Sequence, residues 1–376
     1  MTEQQNQLLQ SDQSDDSKRL ESLDILRGFD LFLLVGFQPV LMAFGQVAQW
    51  EWLTPLLHQF DHEMWEGFRF WDLIMPLFLF MAGMSMPFSL SKYKQASRRS
   101  ALYRRIVKRV IVLFILGMVV QGNLLTLDAS QLKIYTNTLQ AIAAGYLIAF
   151  LVLTYIPSRR QIAATVLLLL IYMIPFLLTG DYSMEGNFAA RIDKAVLGRF
   201  QGDPSYTWIW SSLTFGVTVL LGAFCGQMIR TGHSTPLSTV HRIISVGVGL
   251  VLLSLLVDSF HPIIKRIWSG SMTLLAGGYC FLLAGLFYYW IDVKGHGNGL
   301  RWLKVYGMNS IAAYLLGEVV NFRCIAHSVS YGLQNHFGDF YSVWLTAMNF
   351  LILYVILCAM SRLNIYLKIL LSDKID

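Results

Sequence analysis

Apolar runs of about twenty residues recur along this 376-residue chain, more of them than a soluble fold can bury. Examples are "GFDLFLLVGFQPVLMAF" from Gly28, "TVLLLLIYMIPFLLT" from Thr165 and "LTAMNFLILYVILCAM" from Leu345. A helix rises about 1.5 Å per residue, so runs of this length cross a hydrocarbon layer about 30 Å thick. Inside lipid every backbone amide must be satisfied internally, which leaves helices or a closed barrel. Barrel strands alternate over about ten residues, and these runs are longer and unbroken. Composition agrees: 14% of residues are charged and 55% hydrophobic, whereas soluble domains carry about 25% charged residues. The expected fold is an all-α polytopic membrane protein whose first partner is the lipid bilayer.

About ten spans are expected, at roughly 27–48, 71–91, 106–124, 135–156, 161–180, 207–229, 243–260, 268–292, 304–326 and 341–361. The connections at 92–109, 156–161, 230–242 and 293–304 are basic, and they alternate with acidic or mixed connections at 49–70, 124–134, 181–206, 258–267 and 327–340. The positive-inside rule then puts the basic set and both termini in the cytoplasm, with His62 on the far side. Lys265 and Arg266, in a far-side connection, run against that trend. The formal charge of +6 belongs to these loops, and no basic stretch is interleaved with aromatics, so nucleic acid is not an expected partner. Residues 1–20 read as a disordered polar tail rich in Gln, Ser and Asp, without the apolar core of a signal peptide. Residues 21–376 read as one transmembrane domain, in which "FAARIDKAVL" (188–197) is a candidate surface helix. The four cysteines show no CxxC spacing, so neither a metal site nor a disulfide frame is expected.

Polar groups inside lipid are costly and usually mark function. On the first span, Arg27, Leu34 and Gln38 are seven and eleven residues apart and share one helical face, with Asp30 flanking it. Gln38 precedes Pro39, where a kink frees carbonyls. On the ninth span, Ser310, Tyr314, Glu318 and Asn321 form a polar stripe beside Asn309. Asn137 and Gln140 lie one turn apart at the start of the fourth, a spacing equally suited to helix–helix bonding. The connection before the second span reads "HQFDHEMWEGFRFWD". There Asp61, Glu63 and Glu66 can orient the His62 imidazole, Trp65 can wall it from water and Gly67 lets the chain turn into the membrane. Imidazole titrates near pH 6.5, which suits proton abstraction at neutral pH. Asp72 falls in the first turn of the next helix, favoured there by the helix dipole. The remaining histidines are scattered through loops, and most are expected to be solvated.

No G-x-S-x-G, H-E-x-x-H, P-loop or dinucleotide fingerprint occurs. The chain does resemble the transmembrane acetyltransferases typified by heparan-alpha-glucosaminide N-acetyltransferase. The resemblance is carried by "SLDILRG", "HEMWEGFRFWDLIMPLFLFMAGMSM", "NTLQAIAAGYL", "DPSYTWIWSSLTFGVTVLLGAFCGQMIR", "PIIKRIWSGS", "DVKG" and "YGMNSIAAYLLGEV", spread from residue 22 to about 320. It implies an acyl-CoA-dependent N-acetyltransferase. Such an enzyme takes acetyl-CoA from the cytoplasm, acetylates a glucosamine-type amine on the opposite side and works as a homodimer. It makes His62 catalytic, and it places Gln38 where the family usually has asparagine. Ala141 stands where many members have arginine, and the large extra-membrane domain of the animal enzyme is absent.

Together these readings assign catalysis to His62 and Gln38, the donor to Arg27, Asn137, Gln140, Asn309, Ser310 and Tyr314, and the acceptor to Trp65, Asp72, Glu318 and Lys265, with no metal. The basic 92–109 segment joins Arg27 as the expected phosphate-binding edge. His62 is expected to act as a general base, with a nucleophilic, acetyl-imidazole route as the alternative. A bacterial inner membrane is the expected location. O-acetylation of an envelope glycan and proton-coupled solute transport through Asp30, Glu318 and His62 are the competing functions.

Overall fold

The computed structural model describes residues 20–90, 99–232 and 235–367. The tail expected at 1–20 therefore lies outside the described residues except for Leu20, as does much of the basic 92–109 segment. Among the described residues no strand forms; two isolated bridges, Glu66 with Ile264 and Tyr135 with Gln201, tie loops together. Most of the rest is helical.

Eight segments are long and apolar enough to cross a membrane. They are α1 (Glu21–Ala48), α2 (Phe70–Leu90), α4 (Thr138–Tyr155), α5 (Ser158–Thr179), α7 (Ser212–Thr231), α8 (Pro236–Asp258), α9 (Gly270–Val293) and Arg323–Arg362, whose long continuous part is α12 (Tyr341–Arg362). Two further expected spans take a different form. The third falls on α3 (Arg99–Val120), which carries Arg104, Arg105, Lys108 and Arg109 in its first half. The ninth, expected at 304–326, is not one helix. It is α10 (Arg301–Met308) and α11 (Ser310–Val319), separated at Asn309. The short helix α6 (Phe188–Leu197) lies where "FAARIDKAVL" was expected to be helical, capped by the Asn187 side chain and burying Ala189, Ala190, Asp193 and Leu197.

Small residues let the central helices touch backbone to backbone. A methyl group on Gly28 of α1 would sit 1.9 Å from the Leu303 carbonyl oxygen of α10, and one on Gly307 would sit 1.8 Å from that of Asp24. Gly83 of α2 and Gly222 of α7 meet their partners at 1.8 and 1.9 Å in the same way. Without a hydrophobic drive between helices in lipid, such close packing is what holds them together. The core built on these contacts is centred on α2, α4, α7 and α9, with Leu79, Phe80, Met81, Ala143, Val219 and Met272 fully buried. Lipid-sized helices α5 and α8 are instead mostly outward-facing and apolar.

Within α1, residues Leu33–Phe37 form a wide π-helical turn immediately before Gln38 and Pro39. One extra residue in a turn rotates the remainder of the helix by about 100°. Arg27 and Leu34 remain on one face, and Gln38 leaves it.

Candidate active site

His62 sits in the connection between α1 and α2, and the chain folds locally around one carboxylate. Asp72, in the first turn of α2, is fully buried. Its Oδ2 accepts the backbone N–H of Arg69 at 3.0 Å and of Glu63 at 3.2 Å. Its Oδ1 lies 2.8 Å from Nδ1 of His62. The helix start and the imidazole are therefore set by the same side chain. Arg69 closes the loop, pairing with both oxygens of Glu63 at 2.8 and 3.0 Å and donating to the His62 carbonyl at 3.2 Å. Asp61 accepts the His62 backbone N–H at 2.8 Å. Of the acids expected to orient the ring, neither Asp61, Glu63 nor Glu66 does so; Asp72 does.

A second loop, from far along the chain, completes the cluster. Gly67, at φ +122, donates its N–H to the Ile263 carbonyl at 2.8 Å. Glu66 pairs with Ile264 beside it. The loop is held in turn by Asp258 accepting Ile263 N–H at 2.8 Å and by Ser269 Oγ accepting Ile264 N–H at 3.0 Å. Lys265 is thereby brought to His62 across 203 residues of sequence, with Nζ 3.0 Å from Nδ1 and 3.2 Å from Nε2. Nζ is also 3.7 Å from Asp72 Oδ1 and 5.6 Å from the centre of the Tyr206 ring. With the Nδ1–H given to Asp72, Nε2 carries the basic lone pair, with Lys265 Nζ beside it. Burial lowers the His62 pKa. The bond to Asp72 raises it and the Lys265 charge lowers it, and the balance lies below the ordinary histidine value. Burial also pushes the Lys265 ammonium down to about 8, with Asp72 opposing it. At neutral pH the imidazole is a free base beside a cation.

Both side chains open on a cavity of about 830 Å³. It is bordered at this end by Trp71, Asp203, Tyr206 and Trp208, and further along by Leu34, Phe78, Leu113 and Ile142. Arg27, Ser85, Arg105 and Arg109 also line it. Along α2 its walls run from Trp71 to Ser85, about 21 Å at 1.5 Å per residue. Since α1 and α3 run opposite to α2, Arg27, Arg105 and Arg109 lie at the Ser85 end. One cavity thus joins a basic end to the His62 end across most of a bilayer. Asp193 of α6 shapes the latter, accepting Trp208 and Ile209 N–H at 2.7 and 2.9 Å; burial pushes its carboxyl up to about 6.

The expected residues divide. His62, Lys265, Arg27, Ser310, Tyr314 and Glu318 line the cavity. Gln38 does not; its amide donates to the Phe60 carbonyl at 3.1 Å. Asn137 caps α4 and donates to Gln121 and Tyr314 at 3.0 and 3.1 Å. Gln140 closes the same cap by accepting the N–H of Thr136 and Asn137. Neither lines the cavity, and nor does Asn309, whose buried amide atoms have no partner. Trp65 donates to the Tyr182 carbonyl at 2.9 Å, and Trp71 takes the place by the His62 ring at 6.5 Å between centres. His261, one of the loop histidines, is fully buried among the Tyr172, Phe176 and Tyr182 rings. Sequence reasoning missed Asp203, Tyr206 and Trp208. Their signal was the start of the resemblance segment "DPSYTWIWSSLTFGVTVLLGAFCGQMIR", to which no site role was given. Among the described residues no group of three His, Cys, Asp or Glu side chains is placed to hold a metal ion.

The fold defines a polytopic helical membrane protein with a polar cluster opening on an internal cavity. A family model described as heparan-alpha-glucosaminide N-acetyltransferase, catalytic, matches residues 19–251, and the chain belongs to that transferase family. It is 23% identical over 368 residues to the Mus musculus protein named heparan-alpha-glucosaminide N-acetyltransferase, covering 81% of this chain and 54% of that one. The chain thus spans about half the length of the curated relative. His62, Asp72 and the arginines lie inside the family match; Lys265 lies beyond it.

Proposed function

We propose that this protein is a transmembrane N-acetyltransferase. It takes acetyl-CoA as donor substrate at the basic end and acetylates a glucosamine-type amine at the His62 end. The observation that carries this reading is the single cavity with arginines at one end and a free-base imidazole at the other. Its volume falls in the range of about 300–1,000 Å³ usual for small-molecule and cofactor sites. The donor's chemistry fits the lining in sequence. Anionic phosphates suit Arg27, Arg105 and Arg109, because guanidinium groups bind such oxygens in forks. The long thin arm suits the apolar middle, and a thioester at its tip reaches toward His62.

In this scheme Nε2 of His62 removes a proton from the acceptor amine as it attacks the thioester carbon. General-base help of this kind is worth about 10²–10⁴-fold. Asp72 fixes the ring and its tautomer. Lys265 keeps the ring unprotonated, and Trp71, Tyr206 and Trp208 wall the acceptor position. Glu318, Ser310 and Tyr314 line the route of the donor. The enzyme works as a homodimer in a bacterial inner membrane, which cross-linking in native membranes tests. Transport through an Asp30–Glu318–His62 relay is less well supported, because Asp30 does not line the cavity.

Purified protein given acetyl-CoA and glucosamine is expected to release free CoA and form an amide product, and His62→Ala to lose turnover. An ester product would move the reading to O-acetylation. Vesicle uptake of a solute without acetyl-CoA, and no CoA release, would replace it with transport.

A further inference from the structure

Lys265 brings an amine into the site from the chain itself. A sugar amine about to lose its proton to His62 must lie within hydrogen-bond reach of the Nε2 lone pair. Lys265 Nζ already lies beside such a position, over the ring at 3.2 Å from Nε2 and 3.0 Å from Nδ1, on a side chain only 5% exposed that lines the same cavity. We propose that Lys265 is an internal acetyl acceptor: with donor bound and no external amine in place, the acetyl group passes to Lys265 Nζ and the enzyme stalls. This rests on the acetyl-CoA reading above.

The step balances with the groups present. The Lys265 ammonium gives a proton to Nε2 of His62, and the free amine attacks the thioester carbonyl carbon. A C–N bond forms, the C–S bond breaks, and the departing thiolate takes the proton held on His62 Nε2 to leave as free CoA. The amide nitrogen loses its second proton to solvent. A primary amine attacks only when unprotonated. With burial holding Lys265 at about 8, roughly a quarter of it is free amine at pH 7.5, against roughly a thousandth of an ordinary lysine. Holding nucleophile, base and electrophile together replaces a bimolecular encounter by an intramolecular one. The product is a stable amide that fills the acceptor position and removes the positive charge beside His62.

The test uses the full-length protein in detergent micelles with acetyl-CoA labelled in its acetyl group and no acceptor, followed by digestion and peptide mass spectrometry. Lys265 is expected to be acetylated at least tenfold more than exposed Lys194, with CoA released up to one equivalent per chain. His62→Ala should lower the labelling tenfold or more, and excess glucosamine should suppress it. Lys265→Arg should abolish the acceptor-free release of CoA. Should that variant fold poorly, the wild-type peptide map decides alone. Labelling of Lys265 no greater than that of Lys194 would overturn the inference. So would a bare Lys265 in a preparation that acetylates glucosamine, which would leave the acyltransferase reading standing. A preparation that does neither overturns both.

Discussion

Asp72→Asn is the substitution whose consequence is dictated most directly by the geometry. The carboxylate uses Oδ2 for two backbone amides and Oδ1 for Nδ1 of His62. Asparagine keeps one oxygen, and the two amides of Glu63 and Arg69 claim it, so the start of α2 survives. The –NH2 group then faces Nδ1 and donates to it. His62 must answer by accepting there, which moves its proton to Nε2 and removes the lone pair that faces the acceptor. Loss of a hydrogen bond to a charged group alone is worth about 1.5–3 kcal/mol, or roughly 10- to 100-fold in rate. Imposing the wrong tautomer costs up to about 10⁴-fold in the serine protease triad, where the same carboxylate-to-amide change was made. The expected fall in kcat therefore lies between about 10² and 10⁴, with KM for acetyl-CoA unchanged, since the arginines sit about 20 Å away along α2. The assay is thiol release from acetyl-CoA with saturating glucosamine, on protein that elutes as wild type does. A wild-type kcat in Asp72→Asn, or a defect confined to KM for the donor, would refute the role given to this carboxylate.

Three further outcomes are expected. Because the imidazole must be unprotonated and its pKa is lowered, activity should fall on acidification only below the ordinary histidine range; Lys265→Gln, which removes a nearby positive charge, should move that acid limb to higher pH in a pH–rate profile. Arg105→Gln should raise KM for acetyl-CoA by about 10- to 100-fold with kcat little changed, as expected from losing one charge-assisted contact of about 1.5–3 kcal/mol in steady-state kinetics. Gly28→Ala forces a methyl group to within 1.9 Å of the Leu303 carbonyl oxygen, so thermal unfolding in detergent should show a loss of about 1–3 kcal/mol or more.

Most of the helices were legible because hydrophobic length is a property of consecutive residues. Where length and charge conflicted, the bounds shifted. The third span, expected from 106, begins at Arg99 because the basic first half of α3 is helical as well, and Asn309 interrupts a ninth span that reads as continuous. His62 stood out through its neighbours and its motif, yet the carboxylate that governs it is ten residues on. That relation has no helical or strand period, because a turn at Gly67 intervenes. Gln38 was misplaced by a single residue's worth of extra winding at Leu33–Phe37, which no side-chain pattern announces. Asn137 and Gln140 have the residue types of a capping box as well as of a ligand site, and the cap is what forms. Lys265 reaches His62 through a loop pairing across two hundred residues. Its traces in the sequence were the motif "PIIKRIWSGS" and a pair of cations on the side of the membrane where the charge rule disfavours them.

A corridor that lets a small chemical group cross from one aqueous compartment to the other is, by its nature, a threat to the ion gradients the membrane maintains. In the passage proposed above, the apolar side chains Leu34, Phe78, Leu113 and Ile142 would form a girdle against that threat. Water columns are unstable between walls of this kind, and hydrophobic constrictions gate channels by drying out. An occupant slim enough to thread the girdle would act as its own stopper, so that catalysis and insulation draw on the same few side chains.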